Sequence, residues 1–225
     1  MDEEKKLLKE IYSDIFLANN LGFKGGTALV FFYDLPRFSV DLDFNLIDAE
    51  ESDRVYDRIR FIAGKYGRIK DEAKKHFGLI IVLDYGEGER NLKIEISNRQ
   101  SADRYEIKNY LGISVKVMRL PDMFAHKLCA LFDREVLTNR DIFDCYFLMQ
   151  RRTPVNKRIV EDRMKLDLDA YLEKCITAVE QVSEKRILSG LGELMDEDTK
   201  TFVKNKLKSE TISLLRLYRQ FPIIE

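Results

Sequence analysis

Every segment of strand character lies before residue 119, and after Pro121 the apolar residues repeat almost only at helical spacing. A chain divided in this way can draw a sheet only from its first half. In "RFSVDLDFNL" (Arg37 to Leu46), Phe38, Val40, Leu42 and Phe44 point one way, while Arg37, Ser39, Asp41, Asp43 and Asn45 point the other, the period of a half-buried strand. "GLIIVLDYG" and "NLKIEISNR", separated by the turn-rich "GEGER", predict a hairpin, and "ISVKVMRL" predicts a further short strand. Leu7, Leu8, Ile11, Ile15 and Phe16 predict an opening helix that ends near "NNLG". "TALVFFYDL" predicts a short second helix with Thr27 near its start and Pro36 as its stop, and residues 50–66 a surface helix. Later helices are predicted at 122–134, 140–149, 156–165, 169–186 and 197–218, interrupted by Pro154 and by "SGLG" at 189–192. The expected class is α+β: a mixed sheet with flanking helices over residues 1–118, then an all-helical second half over 119–225.

Composition narrows the function classes. The 225 residues, 45% hydrophobic with 14 Phe and 10 Tyr, can fill one large core or two small ones. Lys and Arg number 38 against 39 Asp and Glu, so no overall basic field gathers nucleic acid, and such a partner needs a local patch. "NKRIVEDRMK" and "KTFVKNKLK" are the basic stretches, and charge runs of this kind also serve simply as solvated helix faces. Three dispersed cysteines, Cys129, Cys145 and Cys175, suit a reducing compartment. The charged amphipathic start carries no signal-type apolar stretch, and no run approaches membrane-spanning length. A soluble cytoplasmic protein without membrane partners is expected.

The chemistry concentrates in two places. Asp41 and Asp43, two residues apart on one strand face, hold their Cβ atoms about 7 Å apart, a span that a pair of divalent cations can bridge. A wet strand face also carries two acids by chance. Glu95 in "NLKIEIS" leaves its strand on the polar face with Lys93 and Ser97, so it completes a triad if the two strands are neighbours; otherwise it is a solvent-facing acid. Gly25 and Gly26 ahead of Thr27 either form a tight turn or let a phosphate approach amides at a helix N-terminus. No Walker A loop, G-x-G-x-x-G run or zinc-type His/Cys spacing is present. Cys129, Cys145 and the pairs Phe31–Phe32 and Tyr146–Phe147 read as core, although an exposed tyrosine can also stack on a base.

"GGTAL" followed by "RFSVDLDF" resembles the nucleotidyltransferase core of the AbiEii/AbiGii toxin family, within the DNA polymerase β-like superfamily. That family continues with an acid on a later strand, a helix carrying lysine then arginine, and a helix with two spaced aspartates. The matching positions are Glu95 in "KIEIS", Lys127 and Arg134 in "HKLCALFDR", and Asp141 and Asp144 in "NRDIFDCYFL". Glu95 departs from the superfamily, whose third acid is more often Asp. Lys127 and Arg134, seven apart, share a helix face; Asp141 and Asp144, three apart, share another. The two aspartates either orient the lysine or a nucleophile, or make ion pairs with Lys127, Arg134 or Arg140 that dock two helices.

The resemblance implies a metal-dependent nucleotidyltransferase moving a nucleoside monophosphate from a nucleoside triphosphate to a hydroxyl of a transfer RNA or protein. Asp41 and Asp43 are the implied ligands of Mg²⁺ or Mn²⁺, with Glu95 as third ligand and general base. Gly25, Gly26, Thr27, Arg37 and Ser39 are the implied nucleotide contacts, together with Lys127 and Arg134. The implied role is the toxin of a toxin–antitoxin pair or a phage-defence module, with the antitoxin a separate chain. A non-catalytic nucleotide-binding module and an antibiotic-modifying nucleotidyltransferase are the alternative readings.

Overall fold

The computed structural model describes residues 2–75, 78–84, 86, 91–99, 101–133 and 137–225. They form two compact units: Met1–Asp34 with Ser39–Met118, and Leu35–Phe38 with Arg119–Glu225.

The first unit is built on a mixed sheet. In chain order its elements are α1 (Asp2–Ser13), α2 (Ile15–Asn20), β1 (Leu21–Lys24), α3 (Gly25–Tyr33), β2 (Leu42–Leu46), α4 (Ser52–Ala63), β3 (Arg68–Lys75), β4 (Gly78–Asp84), β5 (Leu92–Ser97), β6 (Tyr105–Tyr110) and β7 (Ile113–Met118). The strands run β3-β4-β5-β2-β1-β7-β6. β2 pairs parallel with β5 and β1 parallel with β7, while the remaining neighbours are antiparallel. Phe23 and Phe44, wholly buried on the two central strands, pack with ring centroids 5.3 Å apart. The hydroxyl of Tyr12 lies within hydrogen-bond distance of the Leu21 carbonyl at 3.1 Å and the Lys116 carbonyl at 3.0 Å, its one proton shared between them, tying α1 to β1 and β7. Phe31, read as core, instead stacks half-buried on Tyr110 at 5.0 Å.

The second unit is helical: α5 (Leu120–Asp133), α6 (Asn139–Gln150), α7 (Lys157–Met164), α8 (Leu168–Glu180), α9 (Glu197–Asn205) and α10 (Leu207–Gln220). α10 packs on α6 and α8, and α5 on α6, α7 and α8. The three cysteines are free and buried in this unit.

The departures from the sequence reading are physical. The alternating run from Arg37 becomes strand only at Leu42. Its first residues serve the second unit: Phe38 donates its N–H to the Leu194 carbonyl at 2.7 Å, and Arg37 is buried. Phe38, expected inward, is therefore exposed. β1 has four residues, too few to register a period, and "RIKDEAKK" forms β3 at one end of the sheet order, where charged side chains discourage further pairing. β4 and β5 pair antiparallel as the hairpin reading expects, although most of "GEGER" lies outside the described residues. The helix expected over 169–186 ends at Glu180, and that expected over 197–218 divides at Lys206.

Candidate active site

In the first unit, the parallel register of β2 and β5 sets Asp43 directly opposite Glu95, so the neighbour relation required for an acidic triad exists. On the other side of β2, Lys24 at the end of β1 lies opposite Asp43. The chain then turns at Gly25 into α3, with φ +82°, and a Cβ at Gly25 would lie 2.3 Å from Asp43 Oδ2. Only glycine suits this position, because the backbone is left-handed and the carboxylate fills the space where a side chain would start. Gly26 and Thr27 form the first turn of α3, where amide N–H groups lack intrahelical acceptors. Thr27 is wholly buried; its hydroxyl donates to the Asp41 carbonyl and lies 3.0 Å from Ser39 Oγ. The glycine turn and the acidic strand are thereby fastened to each other.

Charge on this face is unbalanced. Burial raises the Asp43 pKa, and Glu95 and Asp41 push it the same way against the opposing pull of Lys93 and Lys24. Lys93 Nζ sits 2.8 Å from Glu95 Oε2 and 3.9 Å from Asp41 Oδ2. Burial works against its charge, but Glu95, Asp43 and Asp41 outweigh that and raise its pKa. The donors, carboxylates without thiolate or imidazole, suit a hard divalent cation. Among the described residues no three such groups already surround a common point, and the lysine ammonium stands where positive charge is called for.

The second unit gathers a different cluster. Arg37 Nε and Nη2 donate to the two oxygens of Asp144 at 2.7 Å each, a bidentate pair in which the arginine side chain is 3% and the aspartate 0% exposed. Lys127 Nζ lies 2.8 Å from Asp144 Oδ2 and 3.4 Å from Asp141 Oδ1. Thr138, the N-cap of α6, donates its hydroxyl to Asp141 Oδ2 at 2.6 Å and accepts the Asp141 N–H at 3.3 Å. Burial disfavours the Asp144 anion, but Arg37 and Lys127 overcome it and hold the carboxyl down at about 2. Lys127, although desolvated, stays cationic well into the alkaline range because Asp144 and Asp141 face it.

The structure thus brings together Gly25, Gly26, Thr27, Ser39, Asp41, Asp43 and Glu95 in one unit and Arg37, Lys127, Asp141 and Asp144 in the other. Of the two readings of the aspartates, ion pairing with Lys127 and orientation of that lysine are satisfied by the same contacts. Arg37, expected as a nucleotide contact, pairs through Nε and Nη2 with Asp144. Arg134 lies outside the described residues. Lys93 was legible as a polar-face neighbour of Glu95; the Arg37–Asp144 pair, separated by 107 residues, left no local signal.

The sequence profile of the AbiEii family, "Nucleotidyl transferase AbiEii toxin, Type IV TA system", matches residues 6–213. No curated protein matches the chain. Its fold is similar to JHP933 from Helicobacter pylori (TM-score 0.63, 21% identity, 97% of this chain and 91% of that one). It is similar also to an H. pylori structure described as a candidate nucleotidyltransferase (TM-score 0.65, 21% identity, 97% and 94%). A third resemblance is to an antigenic nucleotidyltransferase-like protein from Paracoccidioides brasiliensis (TM-score 0.50, 15% identity, 89% and 97%). At these identities the structures speak for the fold, and the family match speaks for the activity: the chain belongs to the AbiEii nucleotidyltransferase toxins of type IV toxin–antitoxin systems.

Proposed function

We propose that the chain transfers a nucleoside monophosphate from a nucleoside triphosphate to a hydroxyl of an RNA or protein acceptor, and that Asp41, Asp43 and Glu95 form the reacting centre. The observation that carries this reading is the register of Asp43 against Glu95, with the Gly25 turn closed directly over Asp43. Asp41 and Asp43, with Glu95 as third ligand, would hold Mg²⁺ or Mn²⁺, which when bound supplies neutralisation of the charge developing on the phosphates.

The protein's own groups do the rest. The amides at the start of α3 receive the β and γ phosphates, where the helix terminus favours an anion and glycine leaves room for it. Thr27 and Ser39, joined by their hydroxyls, fix that turn against the acidic strand. Glu95 takes the proton of the acceptor hydroxyl as its oxygen forms a bond to the α-phosphorus; the bond from that phosphorus to the bridging oxygen breaks and pyrophosphate leaves. Lys127 is assigned to the triphosphate, its charge and direction kept by Asp141 and Asp144. Arg37 acts through Asp144 as a positioning residue. Arg134 remains a proposed nucleotide contact on the strength of the family pattern.

The biological reading is a toxin with a separate antitoxin chain, acting in the cytoplasm and serving phage defence. Among the described residues no helix is long and apolar enough to cross a membrane, which is compatible with that setting. The test is to incubate the protein with Mg²⁺, each α-labelled nucleoside triphosphate, and total RNA or cell protein. Label is expected to enter a macromolecule with wild type and not with Asp41→Ala/Asp43→Ala. Transfer surviving the double substitution contradicts the assigned centre, and label entering neither RNA nor protein contradicts the macromolecular acceptor.

A further inference from the structure

Lys93 is absent from the roles assigned so far, yet its ammonium is the group nearest to doing what a metal ion would do. It shares the polar face of β5 with Glu95, two residues away, and reaches Glu95 Oε2 at 2.8 Å and Asp41 Oδ2 at 3.9 Å. The strand on the other side of β5 offers no competing charge here: Val82 and Ile80 of β4 stand opposite Lys93 and Glu95. From β1, Lys24 stands opposite Asp43 rather than Glu95. Lys93 therefore hydrogen-bonds the outer acid on β5, Glu95, and makes a longer ion pair at 3.9 Å with Asp41, which precedes β2, while Asp43 lies between Lys24 and Glu95 in the sheet register. Its side chain is 36% exposed, so a flexible four-carbon stem can carry the ammonium out to water without unfolding anything around it.

We propose that Lys93 is a built-in counter-cation of the carboxylate centre, one that holds Asp41 and Glu95 in the metal-free protein and must leave them before a divalent ion can use both. This inference rests on the proposed metal role of those acids. The physical reason is competition for the same oxygens: a carboxylate oxygen engaged at 2.8 Å by an ammonium cannot at the same time face a second cation without strong like-charge repulsion. The lysine keeps the acids together when no ion is present and sets a threshold for ion entry. A lysine whose task is to hold the triphosphate would behave differently, since its removal weakens nucleotide binding and leaves ion affinity alone.

The experiment measures Mn²⁺ binding to the full chain without nucleotide, by titration calorimetry and by the loss of the free-ion signal in electron paramagnetic resonance, at one fixed neutral pH. Wild type, Lys93→Met, Lys93→Arg and Asp41→Asn/Asp43→Asn are compared, each checked for folding by circular dichroism. Lys93→Met keeps the stem and removes the charge, and is expected to tighten Mn²⁺ binding about 10-fold to 100-fold, whereas Lys93→Arg, which keeps the charge, stays within a few-fold of wild type. Binding by Lys93→Met where wild type shows none supports the proposal equally. Equal affinity in wild type and Lys93→Met overturns the role of Lys93 while leaving the metal site standing. Absence of binding in both wild type and Lys93→Met, or measurable wild-type binding that persists in Asp41→Asn/Asp43→Asn, overturns the metal reading and the lysine proposal together.

Discussion

The two clusters use the same side chains in opposite ways. In the first unit, Asp43 has Glu95 on the neighbouring strand, Asp41 two residues back and lysines at the margin, and its pKa is raised. In the second, Asp144 is fully buried between Arg37 and Lys127, and its pKa is driven down to about 2. Burial opposes ionisation at both, so the difference lies in the partners: like charges at one, a bidentate arginine and a lysine at the other. An acid already paired inside the fold, as Asp144 is with Arg37 and Lys127, suits a structural or positioning task. Asp43, held beside like charges at a cost to its own ionisation, suits the proposed place for positive charge to arrive from outside.

That contrast is broken most severely by removing one member from each side. Asp43→Asn is expected to lower nucleotidyl transfer by about 10⁴-fold or more while the fold persists, measured as initial rates of label incorporation at saturating triphosphate. Asp144→Asn is expected to cost about 3–5 kcal/mol in chemical denaturation, because Arg37 and Lys127 lose a fully desolvated partner. If Asp144→Asn is tolerated and Asp43→Asn unfolds the protein, the assignment of structural and chemical roles is reversed.

Titration separates the clusters with smaller effects. The Asp144 pKa is depressed in the folded protein, so its contribution is fully present above the ordinary carboxylate range and is lost as pH falls from about 4 toward 2, a change on the order of 2 kcal/mol. Asp43 has the opposite sign. Its raised folded pKa makes the anion a burden that is absent below the unfolded value and complete above the folded one, so Asp43→Asn should raise the melting temperature slightly at pH 7 and leave it unchanged near pH 3. Thermal melts of wild type and variant at the two pH values check both signs. Gly25→Ala is expected to cost about 1–2 kcal/mol from its left-handed backbone alone, and to lower transfer further by displacing Asp43, read by melts and rates on the same preparations.

Much of this was legible in the chain. The segregation of strands before residue 119, the acidic pair beyond the glycine turn, and Glu95 on a polar strand face all follow from periods of two and 3.6, which are local properties. The register of β2 on β5 is not local, and Glu95 joined Asp43 only conditionally until that pairing was known. Arg37 shows the limit most clearly. Its place in an alternating run reads as the wet face of a strand, but residues 35–38 belong to the second unit, and the partner that makes burial of the charge tolerable stands on α6. β1 escaped because four residues, one of them glycine, carry too little pattern to outweigh a helix cap.

The most direct measurement is Mn²⁺ binding at neutral pH by Asp41→Asn/Asp43→Asn beside Asp141→Asn, with wild type as reference. Loss of ion binding in the first and its retention in the second is the expected result. Retention in the first, or loss in a folded Asp141→Asn protein, would contradict the division of labour between the two sets of acids.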